Sequence, residues 1–279
     1  MFILYILPIE NKTKTQYTIR EQRYSIENGA FMEVKVKSLE KAMKILECFT
    51  VKEPELGITE ISVKLDLNKS NVHNIISTFE KMGYVEKKKE NDKYKLGLKI
   101  MRLSHVLSTT MPFHNIVHRC LTELSAKIDE IVYFGIPNGD HVIYLEGAFP
   151  DKLYNTRWVQ GMSAPFVCTG IGKAMLAYME EDFVETLLTK PLTKYTDFTI
   201  TDPDQLKEEL KLIRARGYSI DNMEHEYGVK CVGVPVLNDY GELIGALSTT
   251  GPSLRFDEEQ SALFALLLKE KAAIIGRSV

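Results

Sequence analysis

The residues with the most chemistry to offer lie between Asn68 and Thr78. Apolar side chains recur there at Val72, Ile75, Ile76, Phe79 and Met82, a spacing that fills one face of a helix. The opposite face then carries Lys69, Ser70, Asn71, His73, Asn74, Ser77 and Thr78. Asn pairs with adenine through two hydrogen bonds, while Lys and Ser serve phosphates and guanine. A helix so equipped reads base edges if its N-terminal end, Lys69 and Ser70, enters a major groove. Beyond Gly83, the lysines Lys87, Lys88, Lys89, Lys93 and Lys95 flank the turn cluster Glu90-Asn91-Asp92, which reads as a hairpin suited to phosphate contacts beside the groove. Solvation of a surface helix is the simpler account of any one of these residues. The arrangement as a whole is more specific than its parts.

Other groupings point to other chemistries. His114-Asn-Ile-Val-His118 places two imidazoles at i, i+4 on one helix, a spacing zinc can use. It lacks the glutamate of an HExxH motif and an evident third ligand, so a surface or interface pair is expected. Asp221, Glu224, His225, Glu226 and Cys231 hold donor types found in metal sites, but they also read as a solvated acidic loop. The loop is the expectation, with no metal and no cofactor. Cys168 and Cys231 with His225 contain the parts of a nucleophile pair, yet no oxyanion arrangement accompanies them. Small buried side chains are expected instead, and no enzymatic activity.

The elements that must hold these residues follow from the same patterning. Leu39, Ala42, Met43, Ile45, Leu46 and Phe49 mark a first helix with Ser38 as its N-cap. Thr59 caps a short second helix to Leu65, and Asn68 caps the third, which ends at Gly83 in a C′ position. Helix, short helix, turn, longer helix and hairpin is the order of a winged helix-turn-helix. A connecting helix runs from Leu98 to about Leu107, and another opens at Pro112 and reaches Ile128. Strands are expected at 131–136, 141–148, 153–161, 218–221, 229–237 and 242–250. Helices are expected at 170–179, 182–188, 204–216 and 257–275, the last resting on Leu263, Phe264, Leu266, Leu267, Ile274 and Ile275. Helices mixed with mostly antiparallel strands give an α+β fold.

Length, charge and cysteine usage bound the classes of function. At 279 residues the chain is long enough for two domains, and its 44% hydrophobic and 26% charged composition is that of a globular protein. Residues 33–102 carry 15 Lys/Arg against 11 Asp/Glu, and residues 103–279 carry 16 against 24. A mildly basic module thus precedes an acidic one, as a polyanion partner would require. Four cysteines lie far apart with no CxxC, which fits a reducing cytoplasm. No apolar run approaches the roughly 18 residues needed to span a bilayer, so no membrane partner is expected. Residues 1–31 show no sustained period. The codons for Gly29-Ala30 can spell a ribosome-binding core just ahead of Met32, so translation from Met32 is one expectation for this leader and a disordered arm the other.

These features together resemble a bacterial IclR-type transcriptional regulator, over nearly the whole chain from Val36 onward. In the first module the likeness rests on Ser38-Leu-Glu-Lys-Ala-Met-Lys-Ile-Leu46, Leu67-Asn-Lys-Ser-Asn-Val-His73 and Gly83-Tyr-Val85. In the second it rests on Cys168-Thr-Gly-Ile-Gly-Lys-Ala-Met-Leu-Ala177, Arg216-Gly-Tyr218, Asp221 to Cys231, and Ser248-Thr-Thr-Gly251. The resemblance implies a winged helix-turn-helix domain at 32–97, a linker helix at 98–112, and a GAF-like effector-binding and oligomerisation domain at 113–279. It implies a sequence-specific regulator, more often a repressor, working as a homodimer or dimer of dimers on a palindromic double-stranded DNA operator, with a small organic acid as effector. Lys69, Ser70, Asn71, His73, Asn74, Ser77, Lys88, Lys89 and Lys93 would then face DNA. By the same carry-over Leu153, Thr156, Gly170, Ile171, Asp221, Val229, Cys231, Ser248 and Thr250 would form the effector pocket. Thr169-Gly170 precede a helix whose free amides could meet a carboxylate, and Ser248 and Thr250 alternate along one strand, so both hydroxyls point the same way. Two positions depart from the family pattern: Asp66 stands where the turn usually has Gly, and Asn74 where an Arg is common. A carboxylate at Asp221 is also an awkward neighbour for an acid. A ligand- or metal-binding enzyme with a vestigial DNA module is the alternative.

Overall fold

A computed structural model describes residues 35–110, 114–150 and 160–278, together with the backbone of 6–8 and 17–19. It divides into two compact units, Arg23–Met111 and Pro112–Val279, the latter grouped with Met1–Gln22. In the leader, β1 (Ile6–Pro8) pairs antiparallel with β2 (Tyr17–Ile19). The sequence showed no strand there, because three residues are too few for an alternating pattern to be legible. Leu153, Thr156 and the strand expected at 153–161 fall on residues outside those described.

The first unit is built from α1 (Lys37–Glu47), α2 (Ile58–Leu65), α3 (Lys69–Met82), the hairpin β3 (Val85–Lys87) and β4 (Tyr94–Leu96), and α4 (Lys99–Thr110). Ile45, Phe49, Leu56, Ile61, Val72, Ile76, Val85 and Tyr94 form its core. Leu39 and Met82, expected inside, are exposed, since each lies in the outermost turn of its helix. The helix starts also differ from expectation. Val36, not Ser38, precedes α1, and no side chain caps it. Gly57, not Thr59, precedes α2, where the Glu60 carboxylate accepts the Gly57 N–H at 2.6 Å. Asn68 does precede α3, without a side-chain cap bond. Asp66 closes α2 in the left-handed conformation, φ 52°, which Asp tolerates better than most residues other than Gly.

The second unit opens with α5 (His114–Ile128), followed by β5 (Ile131–Asn138), β6 (His141–Ala148) and β7 (Ser163–Pro165). Next come α6 (Gly170–Leu176), α7 (Glu181–Leu188), α8 (Pro203–Arg216), β8 (Ser219–Asn222), β9 (Val229–Leu237), β10 (Leu243–Pro252) and α9 (Glu258–Gly276). Six strands form one sheet in the order β7-β6-β5-β10-β9-β8, every neighbour antiparallel. Strand β7 has no signature in the sequence, since Ser163-Ala-Pro165 carries no strand-forming pattern. Alternation sends Val132, Phe134, Val232, Val234 and Leu247 to one face of the sheet, and Tyr133, Cys231 and Thr250 to the other. Helices α5 and α9 pack against each other and on the sheet, while α6 packs across β8, β9 and β10. On α9, Leu263, Leu266 and Ile274 are exposed, whereas Phe264, Ala265, Leu268 and Ala272 are buried. The buried stripe mixes large side chains, Phe264, Leu268 and Ile275, with small ones, Ser261, Ala265, Ala272 and Gly276, and the expectation that every large apolar residue faces inward fails there.

Candidate DNA-binding face and effector pocket

Helix α3 presents Lys69, Ser70, Asn71, His73 and Asn74 as exposed side chains, with Ser77 half-buried one turn later. Val72 and Ile76, fully buried on the opposite face, fix the helix rotation that makes this so. Gly83, at φ 80°, ends the helix and turns the chain into the hairpin. The hairpin lysines are less free than their charges suggest. Lys88 pairs with Glu55 at 2.6 Å and Lys93 with Glu60 at 2.7 Å. Lys87 meets Asp92 at 2.8 Å and Lys95 meets Glu86 at 3.0 Å. Lys89 and Lys69 stand apart from these pairs among the described residues. Each pair is surface-exposed, so a phosphate can compete for the lysine at modest cost.

In the second unit a cavity of about 140 Å³ lies between the start of α6 and the sheet. Asp221, Cys231 and Thr250 sit side by side across β8, β9 and β10 in direct register, and Tyr133 on β5 and Tyr144 on β6 line the same cavity out of that row, Tyr133 opposite Ser248 and Tyr144 opposite Gly135. Thr169, Gly170 and Ile171 form the opposite wall, and His225, Glu226 and Val229 complete the lining. The structure thus brings together Gly170, Ile171, Asp221, Val229, Cys231 and Thr250 from the sequence expectation. Ser248 is buried but does not line the cavity. Tyr133, Tyr144, His225 and Glu226 line the cavity as well and are not among the effector residues that the resemblance implies. The tyrosines had only their place on one sheet face to mark them. Gly170 is required by close packing: a β-carbon there would lie 2.9 Å from the Cys231 Cβ.

The anion cradle expected at Thr169-Gly170 is weaker than the sequence suggested. Helix α6 has only seven residues, and its Gly172 N–H is taken by the Thr169 hydroxyl at 3.0 Å. The Cys231 thiol donates to Thr250 Oγ1 at 3.1 Å. Burial pushes the Cys231 thiol well above its ordinary value and that of Cys168 up to about 12. Both are therefore protonated at neutral pH and poor nucleophiles. His225 lies against Tyr195, ring centroids 5.1 Å apart, and desolvation holds its imidazole below the usual value.

The acidic cluster is occupied internally rather than solvated. Asp221 is 2% exposed and accepts the Glu224 N–H at 2.7 Å. Glu224, also buried, pairs with the ammonium of Lys173, which is 1% exposed on α6. Glu209 stands 4.0 Å from that ammonium. Glu224 Oε2 has no hydrogen-bond partner among the described residues. Burial raises Asp221 to about 7 and raises Glu224 as well, Lys173 opposing the shift in both. His114 and His118 both lie 3.9 Å from the nearly buried Glu146 carboxylate, so the pair shares an acidic neighbour. Among the described residues no group of three His, Cys, Asp or Glu side chains is arranged to hold a metal ion.

Comparison with known proteins gives this architecture its context. Residues 38–89 match the IclR helix-turn-helix domain, and residues 105–277 match the bacterial transcriptional regulator IclR C-terminal domain. The chain is 32% identical to the HTH-type transcriptional regulator XynR of Escherichia coli, over 88% of this chain and 97% of that protein. It is 28% identical to the transcriptional repressor IclR of Escherichia coli, over 85% and 88% respectively. Its fold is shared with the crystal structure of an IclR homolog from Microbacterium hydrocarbonoxydans complexed with 4-hydroxybenzoate, with a TM-score of 0.74 and 21% identity over 86% of this chain and 98% of that one. No described helix is long and apolar enough to cross a membrane. A helix with an exposed polar face in one unit, a walled cavity in the other, and matches across both lead to one conclusion: the chain belongs to the IclR family of bacterial transcriptional regulators.

Proposed function

We propose that the chain binds a palindromic operator as a dimer or a pair of dimers, acts mainly as a repressor, and has its operator affinity set by a small organic acid in the cavity. The observation that carries this reading is the exposed row Lys69, Ser70, Asn71, His73 and Asn74 on a helix whose opposite face is core. Ser77 and Lys89 extend the row, and Lys88 and Lys93 join it by exchanging carboxylate for phosphate. Self-association is favoured by α4, where Met101, Leu103, Val106 and Leu107 are all exposed, an apolar surface that a second copy would cover. Repression is the activity of the named Escherichia coli relative, and an aromatic acid is the ligand of the Microbacterium structure.

The working division is residues 32–97 for DNA, 98–112 for linkage and 113–279 for the effector. Gly170, Ile171, Asp221, Val229, Cys231 and Thr250 hold the acid, with Ser248 supporting the strand beneath them. Regulation requires the acid to favour one spacing of the two recognition helices over another. The test is binding of the full chain to the DNA upstream of its own gene across a salt series. Specific binding with a steep salt dependence is expected, and weak binding blind to sequence refutes the reading.

A further inference from the structure

The cavity poses an electrostatic problem for the ligand just proposed. An acid entering it approaches Asp221, and the one buried ammonium nearby is committed to Glu224. Among the described residues, no lysine or arginine lines the cavity. The groups facing Asp221 come from several elements: Tyr144 on β6, Cys231 on β9, Lys173 on α6, Cys168 just before it, and Glu224 and His225 in the turn that follows β8. Apart from Lys173, these are neutral or negative at neutral pH. Two anionic carboxylates in such a site disfavour each other's charge, a cost that protonating one of them removes. A buried carboxylic acid can instead donate a strong hydrogen bond to a carboxylate.

We propose that Asp221 receives the effector's carboxylate in protonated form, so that each acid molecule enters the cavity with one proton held between two carboxyl groups. This rests on the acid-effector reading above and adds the charge state and size of the ligand. The effector is a small acid, since a cavity of about 140 Å³ is close in size to one that holds a single benzene ring. Asp221 is placed for the role by geometry. It is anchored by the Glu224 N–H, aligned with Cys231 and Thr250, and shielded from water. Its elevated proton affinity agrees, and an arriving carboxylate raises that affinity further.

The experiment is calorimetric titration of the full chain with pyruvate, glycolate, gluconate and 4-hydroxybenzoate and their amides, at pH 6, 7 and 8, each in two buffers of different ionisation enthalpy. For an acid that binds, the affinity is expected to fall roughly tenfold per pH unit above about 7, with about one proton taken up per molecule at pH 8. In Asp221→Asn, where the amide mimics the protonated acid, the same ligand binds equally at pH 6 and 8 with no proton uptake. The infrared difference between the two unliganded proteins shows a protonated carboxyl lost on substitution, disappearing from the native protein with a midpoint near 7. Acid binding that is flat from pH 6 to 8 without proton uptake overturns the proposal and leaves the acid-effector reading standing, a cation then doing the work of the proton. A midpoint below 5 for Asp221 overturns it likewise. Silence from all four acids, with Asp221 still titrating near 7, overturns the acid-effector reading and the proposal together.

Discussion

Helix α3 and the cavity beside α6 carry their polar groups in opposite surroundings. On α3, Asn71, His73 and Asn74 are exposed, and the neighbouring hairpin lysines stand in solvated ion pairs. Around the cavity, Asp221, Glu224 and Lys173 are nearly sealed from water, and each is constrained by a specific neighbour. The comparison teaches where charge is costly. In water a paired lysine gains little from its partner and can exchange it for a phosphate. In the interior, removing one member of a pair strands the other without solvation. The proposed DNA face is thus built from replaceable contacts, and the surroundings of the cavity from contacts that fold the unit.

Breaking the buried pair should have the largest effect. Lys173→Met leaves Glu224 uncompensated and is expected to cost about 3–5 kcal/mol in urea unfolding, with much of it recovered by adding Glu224→Gln. The effect of Asp221→Asn on stability is next and depends on pH. Burial raises the Asp221 carboxyl above its ordinary 3.8 to about 7. The folded chain thus keeps a proton that the unfolded chain releases. The resulting stabilisation is full below the ordinary value and lost as pH rises through about 7. Relative to the native protein, Asp221→Asn should therefore gain about 2–4 kcal/mol between pH 4 and pH 8, read from denaturant midpoints at both.

Substitutions on the exposed side should be smaller and appear in DNA binding rather than folding. Asn71→Ala is expected to relax preference at one base pair by about 1–3 kcal/mol, measured by binding to single-substitution operators. A uniform loss across all sequences would reassign Asn71 to phosphate. Smallest is the contrast between two hairpin lysines. Lys89→Ala should lower the slope of log affinity against log salt by about 1. Lys88→Ala should lower it by less, since Glu55 already offsets that charge. Equal slopes would show that the Lys88–Glu55 pair opens fully on DNA.

Much of this division was legible in the residue pattern. Val72, Ile75, Ile76 and Phe79 repeat at helical spacing, so the outward face of α3 follows from periodicity alone. The bounds of β6 and β9 likewise follow from apolar runs ending at turn residues. Ser38 and Thr59 were misread as caps because several polar residues near a helix start satisfy the same pattern. Glu60 met the α2 start instead, by reaching back to Gly57. On α9, Leu263 and Leu266 are expected inside but are exposed, because an apolar run does not fix which face of the helix meets the sheet. The cavity was legible in part: Asp221, Cys231 and Thr250 were named through resemblance, while Tyr133 and Tyr144 carried no local signal.

What the sequence determined by itself were the properties that depend on neighbours a few residues away: helix faces, strand runs, the hairpin, the basic-then-acidic order, and the family motifs. What only the tertiary structure decided were the properties that depend on residues far apart in the chain. Lys173 and Glu224 are 51 positions apart, yet the fold pairs them and so commits to Glu224 the only buried lysine or arginine among the described residues. Asp221, Cys231 and Thr250 become a single row only when three strands pair in register. A carboxylate's charge is set by its desolvation and its neighbours, and neither exists until the chain has folded around it.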